Sequence, residues 1–201
     1  MSPRGVAIPD LRERLFAAAE RVVARDGAAA LTSRAVTTEA DCGKGVLHAH
    51  FTGLDEFIAE LVLDRFACSA RHAEGLAARV GQGSVVGNLQ EIALALLESL
   101  HPAVVGLAMT RPAAAQHTRE GFQSGAPAFD AIQHSLTAYL RAEQDCGRVD
   151  PGADVATIAL TLVGTVHHLL MTRAPGESAD ARDTTARLLA VLLGPDPQGR
   201  P

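Results

Sequence analysis

The chain has 201 residues, of which 47% are hydrophobic and 20% are charged, and its formal net charge is −5. This composition excludes a disordered chain and provides enough apolar material for a buried core. Aromatic residues make up only 3% and Trp is absent, which argues against a protein that binds single-stranded nucleic acid by stacking bases on rings.

Cysteine usage and hydropathy indicate the cellular compartment. Cys42, Cys68 and Cys146 are odd in number and far apart, which favours a reducing cytoplasm over a disulfide framework or a zinc cluster. The first thirty residues lack the apolar segment of a signal peptide. No uncharged run is expected to reach the length of a membrane span, and the longest apolar helix, near 155–172, carries two His and four Thr. We therefore predict a cytoplasmic protein without a membrane partner.

Four helices are predicted in the first part of the chain. Apolar residues recur there at helical spacing, with expected bounds of 11–26, 33–40, 43–51 and 54 to the high seventies. Gly27 ends the first helix because it tolerates a left-handed backbone, and Thr32 is a good N-cap for the second. The run Asp41-Cys42-Gly43 forms a tight break before the third helix.

The remainder of the chain is predicted to hold five more helices, at 89–100, 104–109, 129–145, 155–172 and 183–193, and the extent of the helix at 104–109 is left open. Pro102 is expected to end the first of them. The stretch 120–127 holds two Gly and a Pro and is predicted to be a loop. The tail at 195–201 is rich in Pro and is predicted to be flexible. No alternating strand pattern is present, so the expected fold class is all-α with about nine helices.

The first three helices have the arrangement of a helix-turn-helix, in which the second helix packs across the third. A third helix of about two turns is too short to be stable alone, and its exposure makes sense if it enters a DNA major groove with its free amides facing phosphate. Lys44, the one lysine of the chain, would lie in its first turn. Residues 1–51 carry seven Lys and Arg against six Asp and Glu, whereas residues 52–201 carry eleven against seventeen.

A sequence motif covers the break and the third helix. It reads Ala40-Asp41-Cys42-Gly43-Lys44-Gly45-Val46-Leu47-His48-Ala49-His50-Phe51. This run resembles A-G-V-S-x-G-T-L-Y-x-H-F, the pattern of the TetR family of transcriptional regulators. The residues that match in place are Ala40, Gly45, Leu47, His50 and Phe51, together with Gly27, Thr32, Asp55 and Glu56 outside the run. The resemblance covers about residues 10–66. Over the rest of the chain, the sequence is similar to the family only in predicting an all-helical domain.

The resemblance implies two domains and a set of DNA contacts. The expected domains are a helix-turn-helix DNA-binding domain at 1–53 and a helical ligand-binding and dimerisation domain at 54–194, with Leu54 opening the connecting helix. The implied DNA contacts are Thr32, Ser33, Arg34, Gly43, Lys44, Gly45, His48 and His50. Plainer roles stay open, since Thr32 is an N-cap in any case and Lys44 can be a solvated surface charge.

Four positions depart from the family pattern. Asp41 stands in place of the turn glycine and puts an acid near the DNA. Gly43 replaces the usual Ser and offers no hydroxyl to phosphate, whereas His48 replaces a Tyr but can still donate a hydrogen bond. Leu54 replaces the Lys that opens the fourth helix, so one contact to the DNA backbone is expected to be missing. These changes leave the expected fold in place and affect the affinity and the choice of operator.

The ligand-binding domain is expected to hold a largely aliphatic cavity, because the chain has few rings and many Ala, Leu and Val. A small, mostly apolar molecule is therefore the predicted effector. An anionic effector would need an arginine in the cavity, and Arg111 and Arg119 are placed for that role. The candidate lining residues are Met109, His117, Phe122, Tyr139 and His167.

The apolar helices at 155–172 and 183–193 predict a homodimer. Each has apolar residues on more than one face, so that one face can line the core while another meets the partner across a two-fold axis. A dimer places two recognition helices on the half-sites of a near-palindromic operator of double-stranded DNA. With the resemblance, this implies a ligand-responsive repressor, released when a bound effector moves the fourth helix.

Two alternatives stay open: a helical enzyme with a His/Cys or His/Glu site in its bundle, and a family member that has lost DNA binding. The sequence lacks the G-x-S-x-G, H-E-x-x-H and dinucleotide-binding motifs that would favour an enzyme. The adjacent His167 and His168 do not share a helix face and make no metal pair. We predict no enzymatic activity, no cofactor and no metal. Cys42 is expected to be a small buried hydrophobe, with redox sensing as the alternative.

Overall fold

The computed structural model describes residues 11–99, 101–172 and 178–194. Over these residues the chain is helical, with two short 3₁₀ segments at 28–30 and 75–79 and no β-strand. The ten α-helices are α1 (Leu11–Asp26), α2 (Ser33–Glu39), α3 (Val46–His50), α4 (Leu54–Glu74), α5 (Val85–Ser99), α6 (Pro102–Thr110), α7 (Pro112–Gln123), α8 (Phe129–Asp145), α9 (Val155–Thr172) and α10 (Ser178–Leu193). The predicted all-α fold class is confirmed.

The described residues form two compact units. The first unit holds the residues up to Leu61 together with 103–118, and the second unit holds 62–102 and the residues from 119 on. Both α4 and α7 begin in the first unit and end in the second. The division into domains after residue 53 stays a prediction. The predicted tail at 195–201 lies outside the described residues, as do residues 1–10.

Three phenylalanine rings form the centre of the first unit. Phe16 of α1, Phe51 after α3 and Phe57 of α4 are buried, with ring centroids 5.1 to 6.2 Å apart. The guanidinium of Arg12 lies 5.1 Å from the Phe16 centroid and pairs with the Glu60 carboxylate. Aromatic pairs contribute about 0.5–1.5 kcal/mol beyond the burial of their surface. They stabilise α3, which is too short to persist alone.

The core of the second unit is built from α5, α8, α9 and α10. Helix α9 packs against each of the other three, and α5 packs against α8 and α10. Each helix buries an apolar stripe at helical spacing, as the sequence predicts. The stripes include Leu89, Ile92 and Leu96 of α5, Ile132, Leu136 and Leu140 of α8, Ile158, Leu162 and Val166 of α9, and Leu189 of α10.

Helix α9 is long and apolar enough to cross a membrane, so the expectation that no uncharged run has that length is wrong. Its 18 residues have a mean hydropathy of 1.6, and 39% of them are buried. By length and composition the core helix of a soluble protein passes the same test. Because α9 packs on three helices of the second unit, its apolar composition is explained as that of a core helix.

The observed helices differ from the predicted ones mainly at 102–123, where two prolines each begin a helix. Pro102 begins α6 and Pro112 begins α7, because a proline at the first helical position lacks only an amide that has no partner within the helix. Helix α7 is not predicted from the sequence as a separate helix. The predicted loop at 120–127 is wrong for 120–123, which form the last turn of α7. Helix α10 also begins earlier than its predicted start at 183.

Candidate functional site

The start of α2 agrees with the sequence prediction that Thr32 is its N-cap. The Ala35 amide donates a hydrogen bond to the Thr32 hydroxyl oxygen at 3.1 Å, and the Thr32 backbone is extended. This bond satisfies one of the four free amides of the first helical turn. In the same turn Arg34 is exposed and Ser33 is half-buried. The N-terminus of α2 therefore presents a cation and a hydroxyl to the outside.

The turn after α2 contains a left-handed backbone at Asp41, where φ is 49°. The Asp41 amide donates to the Thr38 carbonyl at 3.1 Å, and the Cys42 amide donates to the Thr37 carbonyl at 3.0 Å. These two bonds define a Schellman motif, in which the left-handed position is usually a glycine. Aspartate is one of the few other residues that tolerate this conformation. Asp41 thus keeps the turn geometry but adds strain and a negative charge.

Helix α3 is shorter than predicted and begins later. It spans Val46–His50 with Gly45 as its N-cap, so the prediction that Lys44 lies in its first turn is wrong. Gly43 and Lys44 lie in the preceding turn, where the Val46 amide donates to the Gly43 carbonyl at 2.9 Å. Glycine loses more backbone freedom in a helix than any other residue, which keeps this segment out of α3. The buried Leu47 fixes α3 to the core.

The outer surface of this segment is open to solvent. Its predicted DNA contacts are all exposed, namely Gly43, Lys44, Gly45, His48 and His50. A Cβ atom added to Gly45 would meet nothing within 4 Å. There is therefore room for a phosphate or a base edge against the backbone before α3.

Most cations of the first unit already have partners inside the chain. The pairs are Arg12 with Glu60, Arg21 with Glu39, Arg25 with Glu39 and Asp26, Arg111 with Asp55, and Arg14 with the Ala40 carbonyl. Among the described residues, no carboxylate pairs with Arg34 or Lys44. Arg34 lies in the first turn of α2 and Lys44 in the turn before α3, and both exposed cations are available to an external anion.

Cys42 is half-buried, and burial raises the pKa of its thiol. The thiolate is the reactive form of cysteine, so a raised pKa lowers its reactivity toward oxidants. The environment of Cys42 therefore favours the packing role over the redox role.

The acidic pair that opens α4 is held within the first unit. Glu56 accepts hydrogen bonds from the Thr52 amide and from the Thr52 hydroxyl, the latter at 2.6 Å, and these bonds lower the pKa of the Glu56 carboxyl. Asp55 pairs with Arg111 of the α6–α7 junction. His117 of α7 is half-buried and contributes to the low pKa of Glu56 through its charge. The residues that match the family pattern here stabilise the start of α4, where the helix dipole favours negative charge.

Two of the predicted ligand residues belong to an aromatic cluster of the second unit. Phe66 of α4 packs edge-on against Phe122 of α7 and Phe129 of α8, with centroids 5.5 and 4.8 Å apart. Phe129 in turn contacts the His167 ring of α9 at 4.9 Å. The structure therefore brings Phe122 and His167 into one cluster through Phe66 and Phe129, which the sequence analysis did not single out. A further predicted ligand residue, Met109, belongs to α6 in the first unit, and its side chain is 64% exposed.

Tyr139, a further predicted ligand residue, lies in a buried polar network of the second unit. Its hydroxyl oxygen accepts a hydrogen bond from Asn88 at 2.9 Å, and burial raises its pKa to about 12. Glu143, one turn along α8, is fully buried, accepts from the Gly81 amide at 3.2 Å and pairs with Arg148 at 3.1 Å. Sequence reasoning missed Glu143, because a glutamate near a helix end is usually solvated. The network ties the turn before α5 to the end of α8.

No model of a protein family matches the sequence, and no curated protein sequence matches it. Solved structures do match, over nearly the whole chain. Salmonella enterica GusR has a TM-score of 0.62 at 20% identity, covering 94% of this chain and 97% of its own. A TetR/AcrR-family transcriptional regulator from Thermobifida fusca has a TM-score of 0.61 at 14% identity, covering 96% and 100%. The transcriptional regulator FadR from Bacillus subtilis, in complex with stearoyl-CoA, has a TM-score of 0.59 at 14% identity, covering 90% and 97%.

These likenesses establish the fold of the chain. It is an all-helical protein with the fold of the TetR family of transcriptional regulators. The resemblance drawn from residues 10–66 is thereby confirmed at the level of the fold, and it extends over the helices that carry no family motif.

Proposed function

We propose that this chain is a transcriptional regulator that binds double-stranded DNA through α2, α3 and the turn between them. The observation that carries the proposal is the charge of this surface. Arg34 and Lys44 are exposed and have no carboxylate partner among the described residues, whereas the other described arginines of the first unit are engaged. Binding of phosphates by such cations supplies most of the affinity of a DNA-binding protein.

The proposed contacts divide by role. Thr32, Ser33 and Arg34 position α2 on the phosphate backbone, which sets orientation but carries no sequence information. Lys44 binds phosphate or a base edge, and the exposed His48 and His50 of α3 reach into the major groove, where each base pair presents a distinct pattern of donors and acceptors.

We also propose a homodimer that responds to a small molecule. Apolar side chains of α9 and α10 are exposed in the single chain, with Leu160 at 55%, Met171 at 41% and Val191 at 81% exposure, and a dimer interface would bury them. Binding of stearoyl-CoA by FadR, which shares the fold, supports an effector with a large apolar part. The half-buried rings of Phe122 and Phe129, which pack on the buried Phe66, offer such a molecule an apolar surface.

The proposed mechanism is a population shift in a cytoplasmic repressor without enzymatic activity. The effector binds with different affinities to the DNA-competent state and to the released state, and that difference alone sets how far it moves the equilibrium. Helix α4 carries residues of both units and follows α3 in the chain, so its movement would change the spacing of the two copies of α3 in the dimer.

Selection of duplexes from a random DNA library tests the proposed function. We expect the wild-type chain to enrich a near-palindromic sequence, and Arg34→Ala and Lys44→Ala to bind the enriched duplex more weakly in a fluorescence anisotropy titration. Arg141→Ala is the matched control, since Arg141 is exposed on α8 of the second unit. If the wild-type chain enriches no sequence, the alternative of a regulator-like protein that has lost DNA binding is favoured.

A further inference from the structure

A cavity separate from the aromatic cluster lies in the second unit. Its volume is about 380 Å³, and it lies between the end of α4, the 3₁₀ segment at 75–79 and α8. Small apolar side chains form much of its wall, namely Ala77, Val80, Ala138 and Ala142. A cavity of this volume falls within the range of small-molecule sites.

The charge at this cavity comes from Glu74. It is the last residue of α4, it directly precedes the 3₁₀ segment at 75–79, and its side chain is exposed. Among the described residues no cation pairs with Glu74. The nearby Arg79 is held by both oxygens of Glu91, at 2.6 and 2.7 Å. The lining therefore carries a negative charge with which no cation of the described residues pairs.

Three further polar side chains line the cavity, namely Ser135, Tyr139 and His134. The Ser135 hydroxyl donates to the Ala131 carbonyl at 3.2 Å, which leaves its lone pairs free to accept. Tyr139 stays neutral far into the alkaline range and adds an aromatic wall. His134 is exposed at the edge of the cavity. An anionic ligand would meet the Glu74 carboxylate here, whereas a cationic ligand would be attracted to it.

We propose that this cavity binds a small organic cation, an ammonium group on an apolar body of about ten heavy atoms. The ammonium group pairs with Glu74, and the apolar body lies against the wall of Ala77, Val80, Ala138 and Ala142. This site does not depend on the proposed DNA binding, because all its residues belong to the second unit and none is a proposed DNA contact.

Calorimetric titration of the full chain with three benzyl or phenyl probes tests the site. We expect benzyltrimethylammonium to bind, benzyl alcohol to bind more weakly and benzenesulfonate to give no signal. Glu74→Gln keeps the shape of the side chain, and we expect it to weaken the binding of the cation by about two- to fivefold, the upper range for a surface ion pair. The same variant should leave benzyl alcohol unaffected.

Two further variants separate the cavity from general electrostatics. Ala138 is exposed on α8, so Ala138→Leu should fold normally, fill the cavity and weaken both the cation and the alcohol. Glu98→Gln removes an exposed carboxylate of α5 outside the lining and should change nothing. The proposal is overturned if the cation does not bind, if Glu74→Gln has no effect, if Glu98→Gln weakens binding as much, or if the sulfonate binds as tightly as the cation.

Discussion

Asp41 combines a left-handed backbone with a negative charge beside the proposed DNA interface. We expect Asp41→Gly to raise the free energy of unfolding by about 0.5–1 kcal/mol, because glycine occupies this conformation without strain but loses more backbone freedom on folding. We expect the same variant to bind DNA about threefold more tightly, since a carboxylate near the phosphates is removed. Urea unfolding and anisotropy titration measure the two effects.

Asp41→Ala separates strain from charge. Alanine removes the carboxylate but keeps the Cβ atom, so this variant should gain DNA affinity while its stability falls below that of the wild type. An Asp41→Gly variant no more stable than Asp41→Ala would contradict the Schellman geometry of the turn.

Tyr139 is the one tyrosine of a chain without Trp, so the near-ultraviolet absorbance of tyrosinate reports on this residue alone. Burial raises its pKa to about 12. A raised pKa in the folded state favours the protonated form, so this contribution to stability is fully present below the unfolded pKa near 10 and is lost as the pH rises toward 12. We expect ionisation of the native protein to begin well above pH 10. Urea-unfolded protein is the control, and its tyrosine should titrate with a midpoint near pH 10. A midpoint near pH 10 in the native protein would contradict the buried network.

The first turn of α4 is fixed by the Asp55–Arg111 pair, which joins it to the α6–α7 junction within the first unit. The two side chains are 33% and 41% exposed, so solvent screens the pair and we expect a coupling free energy of about 0.2–1 kcal/mol. A double-mutant cycle of Asp55→Asn and Arg111→Gln, followed by urea unfolding, measures it. Strictly additive effects of the two substitutions would show that the pair contributes nothing to the start of α4.

The elements that the sequence predicts well are those with a strong apolar stripe. The bounds of α8 and α9 agree with the prediction because each helix buries a residue at nearly every turn. Helix α7 is not predicted because its apolar side chains, apart from Phe122, are alanines, and Ala114 is its one fully buried residue. The start of α3 is misplaced because the Gly43-Lys44-Gly45 segment carries no pattern that separates a turn from a first helical turn.

The candidate site is predictable from the sequence only in part, because some of its residues are brought together by contacts between distant helices. The exposed residues of the turn and of α3 follow from the motif, since their order along the chain fixes them. The cluster of Phe66 and Phe129 and the buried Glu143 depend on contacts between helices distant in sequence. Local patterning assigns the two rings to a core and the glutamate to solvent, so their surroundings emerge only from the folded structure.

At the scale of the whole molecule, we expect a homodimer with a mass of about 42 kDa in sedimentation equilibrium, twice the 21.0 kDa of one chain. Val191 of α10 is 81% exposed in the single chain, so Val191→Glu should leave the fold intact and weaken the dimer by placing a charge in its apolar interface. Circular dichroism checks the fold of the variant. A wild-type chain that sediments as a monomer at micromolar concentration would contradict both the dimer and the use of two half-sites.

A salt titration of DNA binding is the decisive measurement for α2 and α3 as the DNA interface. Each phosphate contact contributes about 0.9 to the slope of log K against log salt concentration. We expect Lys44→Ala to reduce this slope by about one and to weaken binding to every duplex by a similar factor, while Arg141→Ala leaves both unchanged. If Lys44→Ala alters neither the slope nor the affinity, Lys44 does not face the DNA and the assignment of this surface is wrong.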